Sequence, residues 1–468
     1  MKTKIYTIAL ALIILVTGCG KIEIPVNPGI PGAPDQPEIP QMPELMEVRV
    51  QLEIVEGQEN FPLSGAEVRL SSGEMVYEAE TTEEGKVTFL VPFGLYSVYA
   101  SGKISTGNMG TVLNGSEEEI VVDSNWNTEK EVVVKMVAST TKQVIIKEMY
   151  TGGVIEPATL KNFTKDSYFK LYNNSPVEAR LKNFGMAVAP GRSNKVSATM
   201  WETINYKGEQ CYADEDWVPL HQAIWYTQDD LVIPPYSDVV IAMCGAINHQ
   251  LTFPEAIDLS EADYVHYDPE AGMEQEYMYP APSEKIPTSH YMKCVLYGEG
   301  FGWILPIDSP ALLIFSTEGM TPEEFGKSDD TTFYPEGLED DILFRFKKLK
   351  RSWCLDAVEA FEIEHAGENI KRLTPDLDGG YVYQTWSQGH SVYRNVDKEA
   401  TEAIAGNKEK LVYGYTLGTE DIELGSTDPS GIDAEASLRN GAKIVYMDTN
   451  NSTNDFHLRK QPSLKDKK

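Results

Sequence analysis

The densest group of side chains able to do chemistry lies between positions 264 and 294. Tyr264, His266, Tyr267, Met273, Tyr277, Met278, Tyr279, His290, Tyr291, Met292 and Cys294 supply imidazole, thioether, phenol and thiol groups. Soft or borderline metals and haem iron prefer such donors. No two of them stand at a spacing diagnostic of a metal motif, so which metal, if any, they would hold stays open. Two readings follow: an aromatic-rich loop packed over a sheet, or a contact surface for a ligand or partner, where exposed Tyr and Met are common.

Other constellations fall short of a mechanism. Gly389-His390-Ser391 lacks the second glycine of a nucleophile elbow, because Tyr393 stands there. His365-Ala366-Gly367-Glu368 starts like a zinc-binding H-x-x-E-H, but Asn369 replaces the second histidine. Asp376-Leu377-Asp378-Gly379 starts like a calcium loop, yet position twelve is Ser387 where a closing Glu is needed. Asp214-Glu215-Asp216 and Glu339-Asp340-Asp341 leave a structural Ca²⁺ in an irregular loop open beside a plain solvated acidic surface. Gly298-Glu299-Gly300-Phe301-Gly302 lacks the strand–helix unit of a phosphate loop. The basic run from Arg345 to Arg351 is interleaved with apolar residues and suits one face of an amphipathic element. No catalytic residue is assigned and no cofactor is called for.

The chain that must position these groups has 468 residues and a formal charge of −32. So strong an excess of acid argues against nucleic acid, whose phosphates need a basic footprint. It argues equally against lying flat on an anionic membrane. With 24 Tyr, 15 Phe and 7 Trp the chain can build real cores. Cys211, Cys244, Cys294 and Cys354 contain no C-x-x-C, and an oxidising compartment would allow a disulfide among them.

Lys2 and Lys4 precede an apolar run from Ile5 to Val16, too short to span a bilayer, and Val16-Thr17-Gly18-Cys19 follows. This order resembles the signal peptide and lipobox of bacterial lipoproteins. The resemblance implies cleavage before Cys19 and acylation of that residue, an anchor of several chains where one would hold only marginally. Proline then recurs at every third position from Pro25 to Pro43. Polyproline II has three residues per turn, so these rings line one edge of a rod about 60 Å long. A spacer lifting domains from the bilayer suits this better than an SH3-type ligand. Gly20-Lys21-Ile22-Glu23 weakly resembles a surface-export signal, so an outer-membrane, lipid-anchored location at the cell surface is expected, with the periplasmic face as the alternative.

Residues 44–139 read as a β-sandwich. Val48, Val50, Leu52 and Ile54 alternate with polar residues, and further short strands follow between turns at Pro62–Gly65 and Thr82–Gly85. Gly65-Ala66-x-Val68, and Thr81 or Thr82 leading to Gly85 and Phe89, resemble the carboxypeptidase-regulatory-like, transthyretin-like domains. Such domains are usually spacers without a site.

Residues 140–468 read as a larger β domain with strands near 143–150, 167–175, 181–188, 231–233, 238–243 and 311–315. Stretches 195–230, 246–306 and 318–385 look like insertions, with helices there or near Asp397 to Ala405. Gly389-His390-Ser391-Val392-Tyr393-Arg394, followed by Asp448-Thr449-Asn450-Asn451-Ser452-Thr453-Asn454-Asp455-Phe456, resembles a lamin-tail-like immunoglobulin sandwich. More closely, it is similar to an uncharacterised family of Bacteroidota lipoproteins that pairs such a domain with a regulatory-like one. Lys170 departs from that pattern, in which an acidic residue is usual. The expected whole is mainly β: a signal peptide (1–18), a lipidated spacer (19–43), and two sandwiches (44–139 and 140–468), the second with long insertions. The resemblance implies a non-catalytic envelope lipoprotein that binds a nutrient, cofactor or partner beside a TonB-dependent transporter. A hydrolase built in the insertions and a structural adhesin are the alternatives.

Overall fold

The computed structural model describes residues 45–55, 61–73, 75–106, 109–140, 142–156, 159–190, 211–300, 302, 309–339, 341–364, 369–421 and 425–466. The signal sequence, Cys19, the proline spacer and His365 to Glu368 lie outside the described residues. The architecture is mainly β, as the alternation of apolar and polar residues implies.

The N-terminal module contains β1 (Met46–Ile54), β2 (Glu67–Ser72), β3 (Met75–Glu80), β4 (Lys86–Val91), β5 (Gly94–Thr106), β6 (Met109–Val122) and β7 (Glu131–Thr140). They join in the order β3-β2-β5-β6-β7-β1-β4, so that β3 and β4 are the edges. Alternation decides the faces. Val48, Val50 and Leu52 of β1 enter one core with Val68, Leu70, Tyr96, Val98, Val134 and Met136. The two turns read from the sequence close as hydrogen-bonded corners. Gly85 N–H donates to Thr82 O at 2.9 Å, with Gly85 at φ +72°, and buried Thr81 receives the Ala66 N–H on its hydroxyl at 3.0 Å.

The larger module begins at β8 (Val144–Tyr150), three residues beyond β7. Its strands continue as β9 (Val154–Ile155), β10 (Asn162–Phe163), β11 (Tyr168–Asn173), β12 (Ala179–Leu181), β13 (Phe184–Val188), β14 (Trp217–Tyr226), β15 (Leu231–Ile233), β16 (Asp238–Ala242), β17 (Tyr264–His266) and β18 (Tyr291–Leu296). After them come β19 (Ala311–Ser316), β20 (Thr332–Phe333), β21 (Phe346–Lys350), β22 (Cys354–Glu362), β23 (Val382–Gln384), β24 (Ser391–Arg394) and β25 (Phe456–Arg459). Fourteen of these form one sheet, β23-β22-β19-β13-β14-β18-β17-β16-β11-β8-β24-β25, with β21 pairing β14 and β20 pairing β21. The sheet curls round an inner core of residues such as Phe169, Ile241, Trp225 and Ile314. A second core lies on the other face of β13, β14 and β19, around Phe315, Phe325, Phe346 and Trp353.

The stretches expected as insertions contribute strands to the sheet. β14 sits between β13 and β18, and β17 and β18 connect β14 to β16. Both faces of β14 are covered, so eight of its ten residues are buried without alternation. Pro219, His221 and Gln222 further disguise it as a loop in the sequence. Helices α1 (Pro322–Lys327) and α2 (Lys398–Ala403) fall where expected; α3 (Ala434–Arg439) and α4 (Ser452–Asp455) lie further on. The basic run is β21, with Lys347 buried in the sheet. The four cysteines among the described residues are free thiols; Cys211 is exposed and Cys244, Cys294 and Cys354 are buried.

Candidate functional site

The polar face of the N-terminal module meets the segment between α3 and β25, which carries α4. Register stacks side chains in rows across that face. Glu80, Glu67, Ser101 and Asn114 form one row, and Glu78, Arg69, Tyr99 and Ser116 the next. Asn114 is fully buried against that segment and donates its amide to Thr449 O at 2.5 Å and Asn450 O at 3.2 Å. Asn454 donates to Ser101 Oγ at 3.0 Å. A glycine is needed opposite: a Cβ on Gly379 would come within 2.8 Å of the Asn114 Cβ. Beside these contacts a cleft of about 460 Å³ stays open, lined by Glu67, Arg69, Glu78, Glu80, Tyr99 and Asn454 among others. Burial, then the charges of Glu78 and Glu80, push the Glu67 carboxyl above its usual value. Arg69 offsets them weakly, lying 3.8 Å from Glu78 on exposed side chains. The cleft therefore presents net negative charge and hydrogen-bonding side chains to a cationic guest.

The rim is held from behind by groups the sequence had marked. Buried Arg394 pairs with Asp356, lies 3.5 Å from Asp448 and 3.7 Å from Asp455, and donates to Ile146 O at 2.7 Å and Met447 O at 2.9 Å. Asp455 in turn accepts from Thr449 N and Oγ1, both at 2.8 Å. Asp378 accepts from Ser452 N at 2.7 Å and Ser452 Oγ at 2.6 Å, as well as from Glu359 N at 2.9 Å. The G-x-S-x-x-R and D-T-N-N-S-x-x-D-F patterns are thus the two halves of one clamp. The Asp378 carboxylate, considered for calcium, is occupied by protein donors. Among the described residues no group of three or more His, Cys, Asp and Glu side chains is placed to hold a metal.

The Tyr/Met/His set divides when folded. His266, Met273, Tyr279, Met292 and Cys294 are buried. His266 stacks on Trp225 at 4.3 Å, sets Nε2 3.2 Å from Met186 Sδ, and has its pKa pushed down to about 3 by burial. Tyr264 and His290 stack at 4.3 Å and, like Tyr267 and Met278, are half-buried. Tyr277 is 74% exposed, and Lys165 lies over its ring. Most of the set fills the inner core, so a contact surface here would have to use Tyr277 and the edges of its half-buried neighbours.

Lys170 has a partner set that explains its departure from the acidic pattern. Its ammonium donates to Ser463 Oγ at 2.6 Å and lies 3.7 Å from Asp238 and 3.9 Å from Glu148 and Glu435. Lys147, also buried, pairs with Asp238 at 2.6 Å and Glu435 at 2.9 Å inside a cage of Tyr172, Tyr393 and Tyr446. Burial raises the Glu435 carboxyl, but Lys147 and Lys170 outweigh it and hold it well below the usual range. Ser391, the serine of the failed nucleophile elbow, donates to Glu148 at 2.8 Å from within β24. His390 touches the Thr385 hydroxyl at 2.9 Å. His457 lies between Tyr415 OH and Asn395 Oδ1, each at 2.7 Å, wholly buried, with its pKa pushed to about 3 by burial and then by Arg459.

The cleft residues Glu67, Glu78, Glu80, Ser101 and Asn454 were not found from the sequence. Alternation on β2 and β3 does put the three glutamates on the polar side, but only the pairing register brings them together.

The chain is similar to the crystal structure of a DUF4876 family protein from Bacteroides thetaiotaomicron VPI-5482, at 20% identity over 88% of this chain and 94% of that one, with a TM-score of 0.46. No curated protein matches it. The family model for "Protein of unknown function (DUF4876)" matches residues 234–410, a region that runs from the end of β15 past α2 and includes two of the three stretches expected as insertions. Over those residues the chain is similar to the DUF4876 family.

Proposed function

We propose that this protein is a non-catalytic binding lipoprotein of the cell envelope, anchored through Cys19 and held off the outer membrane by its proline spacer. It presents its two β modules to a TonB-dependent transporter in the uptake of a nutrient or cofactor. The N-terminal module, resembling carboxypeptidase-regulatory-like domains, and the larger module, with its lamin-tail-like motifs, supply rigid surfaces for this. The observation that carries the reading is the contrast between interior and seam. Arg394, Lys147, Glu148 and Asp378 are committed to internal partners, whereas the acidic cleft between the modules is open to solvent. Recognition collects on such surfaces when a rigid scaffold positions them.

Two experiments test this. Cys19→Ala should leave an uncleaved, unlipidated precursor; a variant that still partitions into detergent at mature size would remove the anchor. Affinity capture of the wild-type chain from solubilised native outer membranes should recover one TonB-dependent transporter in near-stoichiometric amount. Recovery of no transporter from cross-linked membranes would contradict the accessory role. One contact favours a hydrolase instead, the Thr385–His390 pair. His390→Ala abolishing a hydrolytic activity of the purified protein would establish that second reading.

A further inference from the structure

The edge of the N-terminal sheet runs along the acidic cleft. Among the described residues β3 pairs only with β2, so one side of its backbone is unmatched. The ladder fixes which residues present that side. Thr81 N–H donates to Ala66 O at 3.0 Å and Thr81 O accepts from Gly65 N–H at 3.0 Å, so the backbone of Thr81 bonds toward the β2 side. Antiparallel ladders alternate residues that bond to the partner strand with outward-facing ones. Ala79, Tyr77 and Met75 therefore bond to β2, while the N–H and C=O of Glu80, Glu78 and Val76 point away from it. The pleat places the side chains of those same three residues on the outer face of the sheet, where Glu67 adds a third carboxylate.

A bare edge of this kind invites another strand. A second copy does not suit it: β3 against β3 would set glutamates opposite glutamates on a chain of formal charge −32. We propose that β3 accepts an extended segment of a partner protein as an added strand, with Lys or Arg facing Glu80 and Glu78 and an aliphatic residue facing Val76. Main-chain hydrogen bonds to the three outward residues would hold it, and the alternating carboxylates would choose it. This rests on the binding-protein reading above and names the partner's chemistry. An antiparallel guest would carry Lys-x-Lys-x-Val, and a parallel one Val-x-Lys-x-Lys.

The test titrates fluorescent peptides of both patterns, and their Glu-for-Lys counterparts, into the full-length mature protein in detergent. One basic peptide should bind, the acidic ones should not, and affinity should fall as salt is raised. Glu78→Pro deletes an N–H that points away from β2, so the module should keep its melting behaviour while binding weakens about tenfold. Glu80→Gln, which leaves the backbone untouched, should weaken the basic peptide and lessen its salt dependence. Failure of both basic peptides to bind, or equal binding to wild type and Glu78→Pro, would overturn the proposal. Transporter capture that persists without peptide binding would keep the accessory reading and discard the edge. Peptide binding without a transporter would do the reverse.

Discussion

Replacing Arg394 by alanine should be among the most damaging single changes in the larger module. The guanidinium is 1% exposed and Asp356 and Asp455 are each 2% exposed, so water cannot take over when the arginine is gone. Removing it strands two buried carboxylates and leaves Ile146 O and Met447 O without its donors. Breaking a buried pair by deleting one partner costs about 3–5 kcal/mol, and each abandoned carbonyl about 1 kcal/mol more. Protonation of Asp356, whose pKa burial already raises against the pull of Arg394, caps the loss near the lower end of that sum, about 5 kcal/mol. Urea unfolding of the mature chain would measure it, with hydrogen exchange at residues 448–455 as the local readout. The loop should lose protection first, because Asp448 and Asp455 are its fixed points. Adding Asp356→Asn should restore part of the loss. A cost below about 1 kcal/mol with loop protection intact would refute the clamp.

Three further outcomes follow from the same geometry. Burial raises Asp166 to about 7, and Asp378 and Asp428 to about 6, so the stability linked to them is present at low pH and lost as pH rises through 6–7. Glu359, Asp238 and Glu435, held low by lysine and arginine partners against burial, act oppositely and lose their contribution below the ordinary carboxylate range. Thermal stability should therefore peak at mildly acid pH, and Asp166→Asn should flatten the neutral limb; an unchanged profile would contradict the assignment. Gly379→Ala should push Asn114 off the 449–450 carbonyls and raise protease sensitivity at the seam, with little effect on either core. Of Cys211, Cys244, Cys294 and Cys354, only Cys211 should react quickly with a thiol reagent in the folded protein, and all four once it is unfolded. The two modules are proposed to fold separately: a chain starting at residue 142 should unfold cooperatively, and aggregation rescued only by residues 44–139 would contradict that.

The N-terminal module was legible because each of its strands has one wet face. Val48, Val50 and Leu52 announce both strand and core. β14 was not legible, because a strand covered on both faces loses its period of two, and His221 and Gln222 look like loop residues. The tyrosines and methionines at 264–294 show the same limit from the other side. Chemical softness suits a metal or a partner, but it suits a core as well, and composition does not tell burial from exposure. Arg394 and the Asp448–Asp455 run were recognisable as a pattern without a role, since their pairing joins residues 54 positions apart in sequence. The cleft depends on still longer contacts, such as Asn454 to Ser101, which no local signal encodes.

The acidic seam and its edge strand are proposed as the working surface. The most direct measurement is capture from cross-linked native outer membranes with the lipidated wild-type chain and with Glu78→Pro, each checked for an unchanged melting temperature. Recovery of a TonB-dependent transporter by the wild type and its loss with the variant is the predicted result. Equal recovery by both would contradict the edge, and recovery of no transporter by either would contradict the accessory role itself.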